Sequence, residues 1–227
     1  MTASGLGAPF AAGRDADVYD LGGGRVLRRY RDGDVDTAPE AAVMAHVATH
    51  GYPVPTVYAT RGPDLVMDRL DGPTMLGAFV AGTLPAEEGA RILADLHTRL
   101  HALPPPAAAP PGTAVVHRDL HPENVVLTPH GPYVIDWRDA LCGPPDLDLA
   151  MTALICAEVA VDPARQLAEA ARALLVSFLA YAGGHPLGQL DTAAGIRAAN
   201  PTLTPTEVAR VDEAGALVVH SARDLRD

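Results

Sequence analysis

The sequence predicts an α+β chain in two lobes, a small β-rich lobe with one helix over residues 1–69 and a larger, mainly helical lobe over 70–227. Three observations point there. Two runs rich in β-branched and aromatic residues, ADVYD at 16–20 and RVLRRY at 25–30, are joined by Gly22, Gly23 and Gly24. Such glycines supply positive φ without strain and suit a hairpin turn. After Asp71-Gly72-Pro73 the apolar residues pass from strand-like runs to helical spacing. Finally, HRDLHPENVVLTPHGPYVIDW at 117–137 places short apolar runs between clusters of acids, amide and histidine.

The elements follow in order. LGGGR is not a phosphate cradle, because no helix follows on which a phosphate could sit. Asp36-Thr37-Ala38-Pro39-Glu40 opens a helix that carries Val43, Met44 and Val47 on one face. Thr37 with Glu40 fits a capping box, and Pro39 is tolerated in the first turn. Gly51, Pro53 and Pro55 stop that helix, and strands are expected at 56–60 and 64–68. Residues 87–103 set Ile92, Leu93, Leu96, Leu100 and Leu103 on one helical face. PPPAAAPPG at 104–112 is a loop. Short strands are expected at 114–116, 124–127 and 132–135, then helices at 146–160, 163–182 and 206–221.

Composition removes several function classes. With 48% apolar residues the 227-residue chain can bury a sizeable core. A net charge of -11 argues against nucleic-acid partners, since no broad basic face would neutralise phosphates. No run reaches the roughly 18 apolar residues of a membrane span. Residues 1–15 lack a basic start and an apolar secretory core, so the expected location is cytoplasmic. Cys142 and Cys156 lack metal-like spacing and read as reduced thiols. His97 with His101, and His46 with His50, share i, i+4 spacing, but no third ligand is evident beside either pair. All 17 basic residues are arginine.

The chemistry lies in His117-Arg118-Asp119-Leu120-His121-Pro122-Glu123-Asn124, which matches the pattern H-R-D-L-x-x-x-N at every specified position. In phosphoryl transfer a carboxylate such as Asp119 must hold or deprotonate the attacking hydroxyl. An amide oxygen (Asn124) and a second carboxylate (Asp136, at the end of an apolar run) must hold Mg²⁺ against the triphosphate. A polar hairpin explains polar residues, but not Asp, Asn and Asp at these intervals between strands.

Here the chain resembles the aminoglycoside phosphotransferase-like small-molecule kinases, the phosphotransferase enzyme family. The resemblance rests on HRDLHPEN, VIDW and DLDLAMT, preceded in order by GRDADVYDLGGGRVLRRY, PEAAVMAHVATHGYPVP and LVMDRLDGPT. It runs from about residue 10 to about 160, and the rest matches only in being helical. IDW in place of DFG, and the lack of an APE, separate the chain from protein kinases.

The resemblance implies a two-lobed protein-kinase-like fold, with ATP (or another nucleoside triphosphate) and Mg²⁺ as cofactors. Asp119 falls on the catalytic aspartate and Asn124 and Asp136 on the metal ligands. His117 and Asp148 would support the catalytic loop, Asp148 also standing as a helix-start carboxylate. The nucleotide lysine is replaced. Aligning VLR with A-I-K selects Arg28, which shares a strand face with Val26, and leaves Arg29 solvated. Arginine keeps the charge but differs in shape and reach. Glu40 would pair with Arg28, a reading preferred over the capping box. Gly13 would lie in the phosphate-covering turn, and the backbone of Met67, Asp68 and Arg69 would meet the adenine.

The acceptor would be a small-molecule hydroxyl compound: aminoglycoside-, macrolide-, choline- or sugar-like. His121 is open to a substrate-side or a structural role. Residues 137–227 carry 7 Arg against 12 acids, a tilt that favours a cationic acceptor contacting Asp139, Asp146 and Glu158. Monomer and homodimer both remain open. The rival reading is a catalytically silent nucleotide-binding regulatory module, favoured by the absent lysine and opposed by the intact Asp119, Asn124 and Asp136.

Overall fold

The computed structural model describes residues 7–162 and 166–225. Strands β1 (Ala11–Ala12), β2 (Ala16–Gly22), β3 (Arg25–Tyr30), β4 (Val57–Arg61) and β5 (Asp64–Asp68) form an antiparallel sheet ordered β1-β2-β3-β5-β4. Gly22, Gly23 and Gly24 take φ of 72°, 59° and 73° at the β2–β3 turn, the left-handed conformation that glycine adopts without strain.

Helix α1 (Ala38–Thr49) lies between β3 and β4, but its first turn differs from the capping box expected. The Thr37 hydroxyl donates instead to the carbonyls of Gly62 and Asp64. Glu40 is thereby left to turn inward, where it is buried.

The remaining elements are α2 (Met75–Val80), α3 (Ala86–His101), β6 (Ala114–Val116), β7 (Val125–Thr128), β8 (Gly131–Val134), β9 (Leu141–Gly143), α4 (Pro145–Ala160), α5 (Ala168–Tyr181), α6 (Leu190–Ala198), α7 (Pro205–Ala209) and α8 (Val211–Asp224). Several features differ from the expected pattern or escaped it. β9 is too short for alternation to betray it and forms by pairing with β6. α2, at six residues, is too short to show a stripe, and the Ala- and Gly-rich α6 carries too few large apolar side chains for one. The helix expected at 206–221 is divided at Arg210. The start of the helix expected at 163–182 lies outside the described residues, and α5 begins at Ala168.

One apolar core runs through both halves, from Val26, Met44 and Leu65 to Trp137, Phe178 and Val218. α4 is its axis: every residue from Leu147 to Ala157 is buried, so this helix is surrounded rather than amphipathic. The crossover between the halves is pinned at Gly72. A Cβ there would lie 2.1 Å from the Leu127 carbonyl oxygen, while the Leu127 N–H donates to Pro73 O at 2.9 Å. The hairpin β7–β8 is thus held against the start of the helical half.

Candidate active site

Strand pairing assembles the site. β6 pairs with β9 and β7 with β8, so the segments 117–124 and 135–140 emerge side by side. The Ile135 N–H donates to Asn124 O at 3.0 Å and ties the two segments together. Two of their residues take left-handed backbone, Arg118 with φ 64° and Asp136 with φ 65°. Each costs on the order of 1–3 kcal/mol and persists only where its surroundings enforce it.

Asp148, in the first turn of α4 and fully buried, enforces the first. Its Oδ2 accepts from the His117 N–H (3.0 Å) and its Oδ1 from the Arg118 N–H (2.6 Å). His101 Nε2 lies 2.9 Å from Oδ2, and His97 Nδ1 lies 3.4 Å away. Burial alone would raise the Asp148 pKa, but His97 and His101 hold it well below the usual carboxylate range. Asp148 is therefore the third group absent from the sequence reading of His97 and His101, the three ligand atoms lying within 4.8 Å of one another. Both its oxygens already bind the backbone at 117–118, so these residues act here as an anchor. The other pair, His46 and His50, lie tilted with ring centroids 4.8 Å apart and bond to backbone carbonyls.

His117 is buried edge-on against Trp137, with ring centroids 4.8 Å apart. Its Nε2–H donates to Ile135 O at 3.1 Å, leaving Nδ1 to accept the Asp119 N–H at 3.3 Å. Both bonds suit a neutral ring, and burial lowers its pKa accordingly.

Asp119 Oδ2 accepts from Asn124 Nδ2 at 2.9 Å, and the Asp119 carbonyl accepts from the same amide at 2.8 Å. Both partners are acceptors, which fixes the amide with nitrogen toward Asp119 and leaves Asn124 Oδ1 to face a ligand. His121 Nε2 lies 3.5 Å from Asp119 Oδ2. Burial would raise the Asp119 pKa, but His121, then His117 and Arg197, bring it below its ordinary value.

Arg28, only 8% exposed, reaches across the cleft. Its Nη1 donates to Glu40 Oε1 at 3.0 Å and its Nη2 to Asp136 Oδ1 at 2.6 Å. Burial opposes its charge, but Asp136 and then Glu40 outweigh that and raise its pKa above the ordinary value. Glu40 also accepts from the Tyr30 hydroxyl at 2.7 Å. The ion-pair reading of Glu40 therefore holds over the capping box. Arg29 is not solvated as expected: it forks onto Asp64 of the neighbouring strand, both bonds at 2.6 Å.

Gly13, Arg28, Met67, Asp119, Asn124 and Asp136 line one cavity of about 930 Å³, while Glu40, His117 and Asp148 stand behind it. His121, Asp139 and Glu158 also face it. Three expected contacts do not line it. Asp146 accepts from the His185 N–H at 2.9 Å, away from the cleft. Asp68 binds the Thr56 N–H and the Tyr58 hydroxyl, and Arg69 pairs with Asp20 and Asp71. The backbone N–H groups of Asp68 and Arg69 are also committed, to Thr56 O and Gly24 O.

The sequence reading missed Arg197. It lies in α6, forks onto Glu158 at 2.9 and 2.6 Å, and its Nη1 lies 3.9 Å from Asp119 Oδ1. No local pattern marks it, because only the tertiary fold brings α6 to the 117–124 loop. Also missed were two tethers on the turn at Gly13: Arg14 to Glu207 at 2.9 Å, and Asp15 to Arg138.

The donor set fits a hard divalent cation. One Asp136 oxygen is taken by Arg28, which leaves the second with the Asn124 amide oxygen, both ligands that Mg²⁺ prefers.

The model of the phosphotransferase enzyme family matches residues 7–114 and 107–187 of the chain. No curated protein matches it significantly. Among solved structures it is similar to a thermostable mutant of aminoglycoside phosphotransferase APH(4)-Ia, with 15% identity, TM-score 0.60, and 95% of this chain and 93% of that one covered. A choline/ethanolamine kinase family protein from Mesorhizobium loti gives 17% identity, TM-score 0.59 and coverages of 97% and 94%. Amicoumacin kinase hAmiN, in complex with AMP-PNP, Ca²⁺ and Ami, gives 13%, 0.55, 92% and 86%.

Proposed function

Because the chain belongs to the phosphotransferase enzyme family, and so is a kinase-type enzyme acting on hydroxyl groups, we propose that it moves the γ-phosphoryl group of Mg·ATP to a small-molecule alcohol. The observation that carries this is the convergence of Asp119, Asn124, Asp136 and Arg28 on one cavity. The AMP-PNP complex of the amicoumacin kinase supports the nucleotide.

Asp119 orients the acceptor. Held ionised below the ordinary carboxylate range, it is a weak base in the resting enzyme, so it accepts a hydrogen bond from the hydroxyl and takes the proton only as the new P–O bond forms. Asn124 braces the Asp119 carboxylate through its nitrogen and offers its oxygen to the cation. Asp136 offers the carboxylate oxygen that Arg28 leaves uncovered. When bound, Mg²⁺ supplies charge neutralisation of the phosphate oxygens. Arg28, held by Glu40, presents a fixed positive charge to the phosphates; Gly13 and its turn cover them, and Met67 packs against the base. His117 and Asp148 keep the loop in shape. Catalysis is then mainly positioning and charge stabilisation.

The test is transfer of labelled γ-phosphate to a panel of hydroxyl acceptors. Asp119→Asn should lower kcat by about 10²–10⁴-fold while Mg·ATP still binds. Tight Mg·ATP binding with no turnover, unchanged by Asp119→Asn, would instead make the chain a silent nucleotide-binding module.

A further inference from the structure

The helical wall of the cavity beside Asp119 bears on what the acceptor is, an inference that rests on the phosphotransferase reading above. Charge counting along the sequence favours a cationic acceptor; the geometry turns that around. Asp146 lies outside the cavity, and four of the acids that line it are already matched by arginines. Glu158 is forked by Arg197, Asp162 is paired with Arg210 at 2.6 Å, Glu207 with Arg14 at 2.9 Å, and Asp15 with Arg138. Hydrogen bonds from Thr204, and then Arg14, hold Glu207 down at about 2, so it stays ionised and paired.

An amine seeking Glu158 would have to displace Arg197, which is itself buried, and would leave that guanidinium without its partner in a desolvated place. Breaking one side of a buried pair is strongly unfavourable. Among the described residues only Glu123 and Asp139, both exposed, line the cavity as acids outside these pairs and the catalytic groups.

Between the ion pairs the wall is apolar: Met151, Ile155 and Val159 from α4, Ala171 and Leu174 from α5, and Ile196 from α6. Burial, reinforced by Glu158, pushes the Cys156 thiol up to about 12, so it too faces the cavity as an uncharged group. Such a wall gains free energy in proportion to the apolar area it covers. We propose that the acceptor is a hydroxyl compound with an extended apolar body, seated against α4, α5 and α6 with its hydroxyl at Asp119, rather than a polyamine sugar.

Binding is measured by calorimetry with Mg²⁺ and AMP-PNP present, using methyl, hexyl and octyl β-glucoside below their micelle concentrations, and gentamicin. The expected result is affinity rising roughly fourfold per added methylene, insensitive to salt, with gentamicin weaker than the octyl compound. Ile196→Asp should weaken the octyl compound at least about tenfold and flatten the series. Ile196 is only half-buried, so the variant should fold; thermal melting checks this, and Val159→Asp serves as a second variant. The proposal is overturned if affinity is indifferent to chain length, or if gentamicin binds more tightly with an affinity that falls with salt. Failure of the wild type to turn over ATP with any acceptor would defeat the phosphotransferase reading, whereas these comparisons read the wall itself.

Discussion

The floor and the roof of the cleft are held by opposite means. The 117–124 loop, catalytic in the proposed reading, rests on Asp148, fully buried and bonded to two backbone N–H groups and to His101. The turn at Gly13–Asp15 is held by arginine–carboxylate pairs whose side chains are partly exposed, 53% for Arg14 and 41% for Arg138. A buried hydrogen-bonded carboxylate fixes backbone shape, and removing it leaves several donors unpaired at once. An exposed ion pair is screened and worth little on its own. The floor should therefore be rigid and intolerant, the roof adjustable and sensitive to salt.

The largest effect is expected on the floor. Asp148→Ala should lower the stability measured in urea by about 3–5 kcal/mol and abolish transfer, because two backbone donors and two histidines lose their partner. Gly72→Ala comes next, at about 2 kcal/mol or more, since its Cβ would strike the Leu127 carbonyl oxygen and push β7 away. Mild effects of both would break the contrast.

Acid should act on the floor as well. Burial lowers the His117 pKa in the folded state from its ordinary 6.5, so the unfolded chain binds more protons. That stability is fully present above about pH 6.5 and is lost as pH falls toward and through the lowered folded value. Urea midpoints taken downward from neutral pH should fall, and His117→Asn should flatten the decline. An unchanged slope would mean that the ring is not held neutral.

Smaller effects belong to the sheet and the roof. Arg28→Ala should weaken nucleotide binding more than Arg29→Ala, because Arg28 faces the cavity and Arg29 is committed to Asp64; the reverse order would misplace the phosphate contact. Arg14→Ala should change stability by no more than about 0.5 kcal/mol, with an effect that shrinks in high salt. A loss comparable to that of Asp148→Ala would erase the distinction between roof and floor.

The same contrast explains what could be read from sequence. Phosphoryl transfer was legible in HRDLHPEN because its spacing is local, and the sheet was legible in glycine turns and β-branched runs. Arg28 followed from the resemblance, which aligns VLR with A-I-K, whereas strand alternation misjudged Arg29, which proved to be paired rather than solvated. What failed depended on contacts between distant elements. Thr37 looked like a cap until its hydroxyl was seen on the β4–β5 turn. Asp146 and Glu158 looked alike as helical acids, yet one meets the His185 N–H and the other Arg197. Helix α6, which brings Arg197 to Asp119, has too few large apolar residues to announce itself.

The measurement that bears most directly on the central claim is γ-phosphoryl transfer by the wild type and by Asp119→Asn, with Mg·ATP affinity recorded for both. The account predicts transfer to a hydroxyl acceptor in the wild type, a loss of at least about a hundredfold in kcat in the variant, and nearly equal nucleotide affinity. Equal turnover by the two proteins would contradict it.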